Sequence, residues 1–160
     1  MESYRVALVG QRDLYTYNRL EGKLYSLLKT LMCEDVFVEI YVGRNGDFDL
    51  IAASVVGRIQ KDLGKEKSRL ILVLPCKEQE IEDYAHYYDE VLFPECLQGL
   101  DKRTVERKYH RFMIERCHLL VCYADDEKEA AFAALKYAKK LHKKYVNLAP
   151  SQKAAWLGVI

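Results

Sequence analysis

Short apolar runs rich in β-branched residues alternate with stretches that are apolar at helical spacing. The second kind is clear in residues 20–32, where leucines recur every three or four positions. Strands are predicted for residues 5–10, 36–43, 69–75, 90–95, 118–124 and 145–149, and helices for residues 20–32, 47–63, 78–88, 101–117 and 126–144. Apolar strands separated by helices indicate a parallel sheet that is covered on both faces. The pattern therefore predicts an α/β fold, a doubly wound, Rossmann-like three-layer sandwich with a mainly parallel sheet of five to six strands.

The elements run without a linker or repeat, so we expect one domain over residues 1–149, followed by an apolar tail over residues 150–160. The large apolar residues of the tail are Trp156, Leu157, Val159 and Ile160. Such side chains are costly to expose, so we expect them to pack on the domain or on a second copy in a homo-oligomer.

Composition and charge exclude several classes of protein. The 160 residues include 25 basic and 24 acidic ones, a formal charge of +1, which predicts no overall attraction to nucleic acid or to an anionic membrane. We expect no signal peptide, because the first residues lead straight into a predicted strand, and no apolar run approaches the ~20 residues that span a bilayer. Five cysteines without a CxxC pair favour reduced thiols and a cytoplasmic location, and the cysteines and histidines are not spaced for zinc. We expect neither a metal nor a cofactor.

The candidate chemistry lies at the ends of the first two predicted strands, where open α/β sheets hold ligands. The stretch "GRNGDFD" carries two glycines, Gly43 and Gly46, which permit positive φ or close approach of the backbone to a ligand. Asn45 offers donors and acceptors, Asp47 is expected to cap the following helix, and Asp49 could accept hydrogen bonds from ribose hydroxyls or a base edge. A capped helix after a tight turn explains the same residues without a ligand.

Two arginines could bind an anion near these strand ends. Arg12, in the stretch "GQRD", could hold a phosphate or carboxylate, or could simply pair with Asp13. The helix over residues 101–117 has a basic face, which is ordinarily just exposed to solvent. Arg103, at the start of this helix and near the strand ends, is the residue of that face most expected to bind a ligand instead. The sequence contains no GxxxxGK[ST], no GxGxxG and no GxSxG, which excludes three common motifs for phosphate, dinucleotide and acyl chemistry.

Five segments carry a resemblance to a known protein family: "VGQRD", "FVEIYVGRNGDFDLIA", "YYDEVLFPECLQGLDKR", "RFMIERCHLLVCY" and "ALKYAKKLHKKYVNL". The family that the chain resembles is the SLOG superfamily, which is named after the SMF/DprA and LOG groups. The closest likeness is to small, stand-alone bacterial members, and it covers about residues 4–149. The resemblance implies a pocket for a nucleotide or a nucleotide-derived ligand, and some members are sensors in defence systems. The pocket residues that it implies or that lie beside it are Gly10, Gln11, Arg12, Asp13, Gly43, Arg44, Asn45, Gly46, Asp49, Arg103, Glu129 and Ala130.

The chain departs from the family at several of these positions. Gln11 stands where a histidine is usual, the pair Tyr109–His110 stands where Arg-Asn is usual, and His118 replaces an aspartate. Glu129-Ala130-Ala131 replaces the Gly-Gly-Ala whose amides approach a phosphate in the family, so a phosphate there would meet a negative charge. The PGGxGTxxE signature of the LOG hydrolases is missing, and no residue inherits its catalytic roles.

Three functions remain open from the sequence. The first is a non-catalytic binding module for a nucleotide or nucleotide-derived signal, with Arg12, Asn45 and Asp49 retained. The second is a degenerate family member that acts in protein–protein interaction or assembly. The third is a hydrolase of N-glycosidic or phosphate bonds in which Glu129 acts with Asp125 or Asp126, although acidic residues at a helix start are more often caps.

Overall fold

The computed structural model describes residues 3–14, 19–44, 46–75 and 87–150. The strands in this part are β1 (Tyr4–Gly10), β2 (Val38–Val42), β3 (Ser68–Val73), β4 (Glu90–Leu92), β5 (Leu119–Tyr123) and β6 (Lys144–Asn147). The helices are α1 (Leu20–Met32), α2 (Asp47–Leu63), α3 (Lys102–Arg116) and α4 (Ala130–Lys140). A single 3₁₀ turn, Glu95–Leu97, lies between β4 and α3.

All six strands are parallel and lie in the order β4-β3-β2-β1-β5-β6. Side chains alternate between the two faces of the sheet, so that Val6 and Leu8 pack with α1 and α2, while Ala7 and Val9 pack with α3 and α4. The central strands β1, β2 and β5 are therefore buried on both faces, which explains their continuous apolar character, whereas the edge strands β4 and β6 are partly exposed. The prediction of a doubly wound three-layer sandwich is confirmed.

The strand order reverses between β1 and β5. From β1 the chain moves outward through β2, β3 and β4, and then crosses back to place β5 and β6 on the other side. In open parallel sheets the crevice at the carboxyl ends of the two strands that flank such a switch point is the usual ligand site. The ends of β1 and β5 are thus the place where a ligand is expected.

Several predicted boundaries were wrong, each for a local reason. The strand predicted over residues 90–95 ends at Leu92, and Pro94 leads into the 3₁₀ turn. The helix predicted over residues 126–144 is only Ala130–Lys140, because residues 126–129 form a turn and His142, with a φ of 58°, ends the helix. The strands predicted over residues 36–43, 69–75 and 145–149 are β2, β3 and β6 with shifted ends. The helix predicted over residues 78–88 falls largely outside the described residues.

Candidate functional site

The loops that follow β1 and β2 are joined directly to each other. The backbone N–H of Asp47 donates to the carbonyl of Arg12 at 2.8 Å, and the Asp47 carboxylate accepts from the N–H of Leu14 at 3.1 Å. The expected N-cap role of Asp47 was wrong, since Asp47 is the first residue of α2 and Gly46 holds the cap position. The carboxylate is used instead to fix the β1 loop against the start of α2.

The glycines of these two loops make room for the chain's own atoms. A Cβ on Gly46 would stand 2.4 Å from the Cα of Arg12, and one on Gly10 would stand 2.0 Å from the ring of Phe48. A Cβ on Gly43 would stand 1.7 Å from the hydroxyl oxygen of Tyr109. Neither Gly43 nor Gly46 adopts the left-handed φ that glycine permits, and the backbone of Gly46 is extended. Close approach does require glycine at these positions, but the approaching atoms belong to the protein.

A buried polar group lies beneath Gly43. Asp49, 8% exposed, places a carboxylate oxygen 3.2 Å from the point where a Cβ on Gly43 would stand, next to the Tyr109 hydroxyl. Burial first, and then the negative charge of Asp49, raise the pKa of Tyr109 well above its ordinary value. Among the described residues, the Tyr109 hydroxyl is the buried side-chain group that lacks a hydrogen-bond partner. Tyr109 thus fills this part of the edge from the opposite face of the sheet.

A cavity of about 510 Å³ lies at the switch point between β1 and β5. Its lining consists of Gln11, Asp13, Asp125, Asp126, Glu127, Lys128 and Glu129. Five carboxylates and one lysine give the lining a formal charge of −4. Three residues predicted from the sequence, Gln11, Asp13 and Glu129, therefore meet at one place, and Glu129 does face the cavity that they share.

Gln11 ties the ends of β1 and β5 together. Its side-chain carbonyl accepts hydrogen bonds from the backbone N–H groups of Asp125 and Asp126, the latter at 2.8 Å. The backbone N–H of Gln11 donates to the backbone carbonyl of Tyr123 at 3.2 Å. Successive backbone N–H groups of this kind attract anions when they are open. Here a neutral carbonyl of the protein already accepts from them, and no motif in the sequence predicts this role.

Arg103 and Ala130 lie on the other side of the start of α4. They line a cavity of about 230 Å³ between α3 and α4, together with Glu106, Arg107, His110, Arg111, Ala133, Ala134 and Tyr137. Burial lowers the pKa of His110 to about 4, so its imidazole is neutral at pH 7. His118, by contrast, is structural, because its Nδ1 accepts from the N–H of Arg5 at 2.9 Å and its ring stacks on Tyr4.

Arg44 lines a third cavity, of about 860 Å³. This cavity follows the exposed side of α2, where it is lined by Arg58, Lys61 and Lys65, and it lies away from the switch point. Asn45 is outside the described residues. The described residues that were predicted to line one pocket are thus divided among three cavities and a packed junction of the two loops. The residues of this junction are Gly10, Arg12, Gly43, Gly46 and Asp49.

Two further expectations concern chemistry that the described residues can address. In the described ranges, no group of three His, Cys, Asp or Glu side chains is arranged to hold a metal ion. No helix there is long and apolar enough to cross a bilayer. The described cysteines are free thiols, of which Cys33 and Cys96 are exposed and Cys117 and Cys122 are buried.

Comparison with known proteins shows a shared fold and little shared sequence. No family model matches the chain, and no curated protein matches it by sequence. DNA processing protein A (DprA) of Streptococcus pneumoniae has a TM-score of 0.63 at 13% identity, over 89% of this chain and 49% of that one. The chain therefore spans about half the length of the pneumococcal protein.

Two other solved structures give a similar result. The Moco carrier protein of Chlamydomonas rheinhardtii has a TM-score of 0.58 at 16% identity, over 96% of this chain and 80% of that one. DprA of Helicobacter pylori, described for its single-stranded DNA binding mode, has a TM-score of 0.60 at 16% identity, over 89% of this chain and 63% of that one. At these identities the likeness establishes the fold, and the ligands belong to those proteins.

Proposed function

The chain has the fold of the SLOG superfamily, as its sequence predicted, and from this premise we propose that it is a binding module for a nucleotide or nucleotide-derived ligand. The observation that carries the proposal is the cavity at the β1–β5 switch point. Its volume of about 510 Å³ is within the range of roughly 300–1,000 Å³ that is common for small-molecule sites. The nucleoside part of the ligand is the part that we assign to this cavity.

The charge of the lining supports a nucleoside and disfavours a phosphate there. Ionised carboxylates only accept hydrogen bonds, and ribose hydroxyls and base amino groups donate them. Asp13, after β1, and Glu129, before α4, both line the cavity. A phosphate in the same place would face a formal charge of −4 and backbone amides that already donate to Gln11. Arg12 and Arg44 do not line this cavity and Asn45 lies outside the described residues, so their place in the proposal rests on the SLOG resemblance alone.

Binding without catalysis is the form of the proposal that the residues favour. The hydrolase hypothesis needs Glu129 with Asp125 or Asp126 as acid and base, and these side chains lie on a turn that precedes a helix, where acidic residues are common. A ligand sensor in a bacterial defence or signalling system is the role that the SLOG resemblance implies.

The proposal is tested by titrating adenosine, guanosine, cytidine and uridine into the protein by calorimetry, with Asp13→Asn as the site variant. We expect at least one nucleoside to bind saturably and the variant to weaken it about tenfold, the effect of losing a hydrogen bond to a charged group. Glu66→Gln, an exposed carboxylate in the turn between α2 and β3, is the matched control and should not change the affinity. Saturable binding that Asp13→Asn leaves intact would place the ligand elsewhere.

Nucleic acid needs a separate test, because one protein of this fold is described for binding single-stranded DNA. The charge of the whole chain predicts no such partner, but the charged residues among the described lining of the cavity along α2 are all basic: Arg44, Arg58, Lys61 and Lys65. Fluorescence anisotropy with a labelled oligothymidine, repeated at several salt concentrations, decides the point. We expect no saturable binding at 0.15 M salt.

Protein assembly is a second candidate function, favoured by two exposed apolar side chains that line the cavity along α2. Leu50 is 57% exposed and Tyr87 is 76% exposed. Contiguous exposed apolar surface of this kind often marks an interface. Light scattering on the wild type, on Leu50→Ser and on a chain without residues 150–160 tests this role. A dimer that either change converts to a monomer supports it, and a monomeric wild type rejects it.

A further inference from the structure

We infer that the cavity between α3 and α4 is an anion site for a phosphate group, formed by Arg103, Arg107 and Arg111. One part of this inference rests on the proposed function, namely that the bound anion is the phosphate end of the same ligand. The site itself has its own geometry and its own probe, so either statement can fail without the other.

Three exposed arginines of α3 line this cavity. Arg103, Arg107 and Arg111 recur at every fourth position of α3, so they lie on one side of the helix, and all three line the cavity. Like charges at this spacing destabilise a helix by a few tenths of a kcal/mol per pair unless an anion compensates them. Within the described residues none of the three lies within 4 Å of a carboxylate oxygen, although hydrogen bonds from Thr104 first, and the charge of Arg107 last, lower the pKa of Asp101. This stripe of arginines is therefore open to an external anion.

The rest of the lining is compatible with an anion. The floor consists of small side chains of α4, Ala130, Ala133 and Ala134, which leave room for a compact group. With Glu106 as the one carboxylate and a neutral His110, the formal charge of the lining is +2. Glu115, the next acidic residue on α3, accepts a hydrogen bond from the Tyr137 hydroxyl at 2.6 Å, and the ring of Tyr137 lies 4.7 Å from the guanidinium carbon of Arg111.

The helix directions add to the positive potential. α3 precedes β5 and α4 follows it, so the amino end of each helix lies at the carboxyl edge of the sheet. Both macrodipoles therefore place their positive ends near Arg103 and Ala130. A volume of about 230 Å³ is below that of a typical site for a whole nucleoside and is sufficient for a phosphate or pyrophosphate.

The anion site and the carboxylate cavity are lined by consecutive residues at the start of α4. Glu129 lines the carboxylate cavity and the adjacent residue, Ala130, lines the arginine cavity. A nucleotide that lies across this turn would have its nucleoside among the carboxylates and its phosphate among the arginines. The phosphate would thus lie beside α4, on the α3 side, instead of on the acidic turn in front of it.

Inorganic pyrophosphate is the probe that tests the site, by calorimetry at low ionic strength and by chemical shifts in ¹H–¹⁵N spectra. We expect saturable binding with the largest shifts in residues 103–111 and 130–134. The double variant Arg103→Gln/Arg107→Gln should weaken binding at least tenfold, and Glu106→Gln should tighten it. Arg58→Gln/Lys61→Gln removes the same charge from α2 and is the matched control, with an expected change below twofold.

The outcomes separate this inference from the proposed function. If pyrophosphate fails to bind saturably, or if both double variants weaken it equally, the arginine cavity is not an anion site, whatever the nucleosides do. If pyrophosphate binds as expected and no nucleoside does, the anion site stands and the nucleoside cavity falls. The Glu106→Gln variant keeps the test decisive should the double arginine variant not fold, because failure to tighten binding contradicts the assignment.

Discussion

Substitution of Gly43 by alanine tests whether this glycine makes room for Tyr109. The new Cβ would stand 1.7 Å from the Tyr109 hydroxyl oxygen and 2.9 Å from the ring carbon that bears it. Tyr109 is 1% exposed and packed in the α3–α4 core, so it cannot rotate into solvent. Overpacking of this kind costs about 1–3 kcal/mol, which lowers the Tm of a domain of this size by about 2–10 °C.

A double-mutant cycle with Tyr109→Phe isolates the contact. The phenylalanine removes the oxygen nearest to the new methyl group and also a buried hydroxyl without a partner, so alone it should change stability by less than about 0.5 kcal/mol. In the double variant it should recover at least half of the loss, a coupling of about 1 kcal/mol. Urea denaturation followed by circular dichroism measures all four proteins.

Gly22→Ala is the matched control for the cycle. A Cβ on Gly22, inside α1, meets nothing within 4 Å, so the change should stabilise the protein by about 0.5–1 kcal/mol through helix propensity. If Gly43→Ala behaves like Gly22→Ala, or if the cycle is additive, then Tyr109 does not occupy the space beside Gly43. The glycine would then have to be explained by an external ligand.

Three further predictions follow from single contacts. Gln11→Leu leaves two backbone amides without an acceptor and should cost about 1–3 kcal/mol in urea denaturation, so unchanged stability would show that water replaces the carbonyl. Burial lowers the pKa of His110 from 6.5 to about 4, so between these pH values the unfolded chain binds a proton that the folded chain does not. The free energy of unfolding should therefore fall by at most about 3 kcal/mol as the pH decreases through this window, and by less in His110→Gln. Tm measured against pH tests this expectation. Asp89→Ala removes a carboxylate that accepts from Gln60 at 2.8 Å and from a β3 amide at 2.7 Å, and should lower the free energy of unfolding by about 2 kcal/mol, whereas Asp62→Ala, at an exposed bond, should change it little.

The fold could be predicted because its signals are local and repeated. Continuous apolar strands such as β1 and β5 report burial on both faces, and the leucines of α1 report one buried face. The ends of the helices and strands were harder to predict. The start of α4 depends on a turn over residues 126–129, and its end depends on the left-handed His142, and neither shows in hydrophobic spacing.

The site was harder to predict because its residues are used by other parts of the chain. Nothing near Gly43 in the sequence indicates that Tyr109, 66 positions later, fills the space beside it. The two hydrogen bonds that Gln11 accepts from the β5–α4 turn are equally remote in sequence. Glu129 could be predicted as a negative charge at the family's phosphate position, but the arginine cavity beside it required the packing of α3 on α4.

Native mass spectrometry of the protein purified from a bacterial expression strain, followed by release and identification of any retained molecule, tests the central claim most directly. We predict a retained nucleoside or nucleotide that is lost in the Asp13→Asn variant and kept in the Glu66→Gln control. A retained molecule without a nucleoside, or a nucleotide retained equally by both variants, would contradict binding at the β1–β5 switch point.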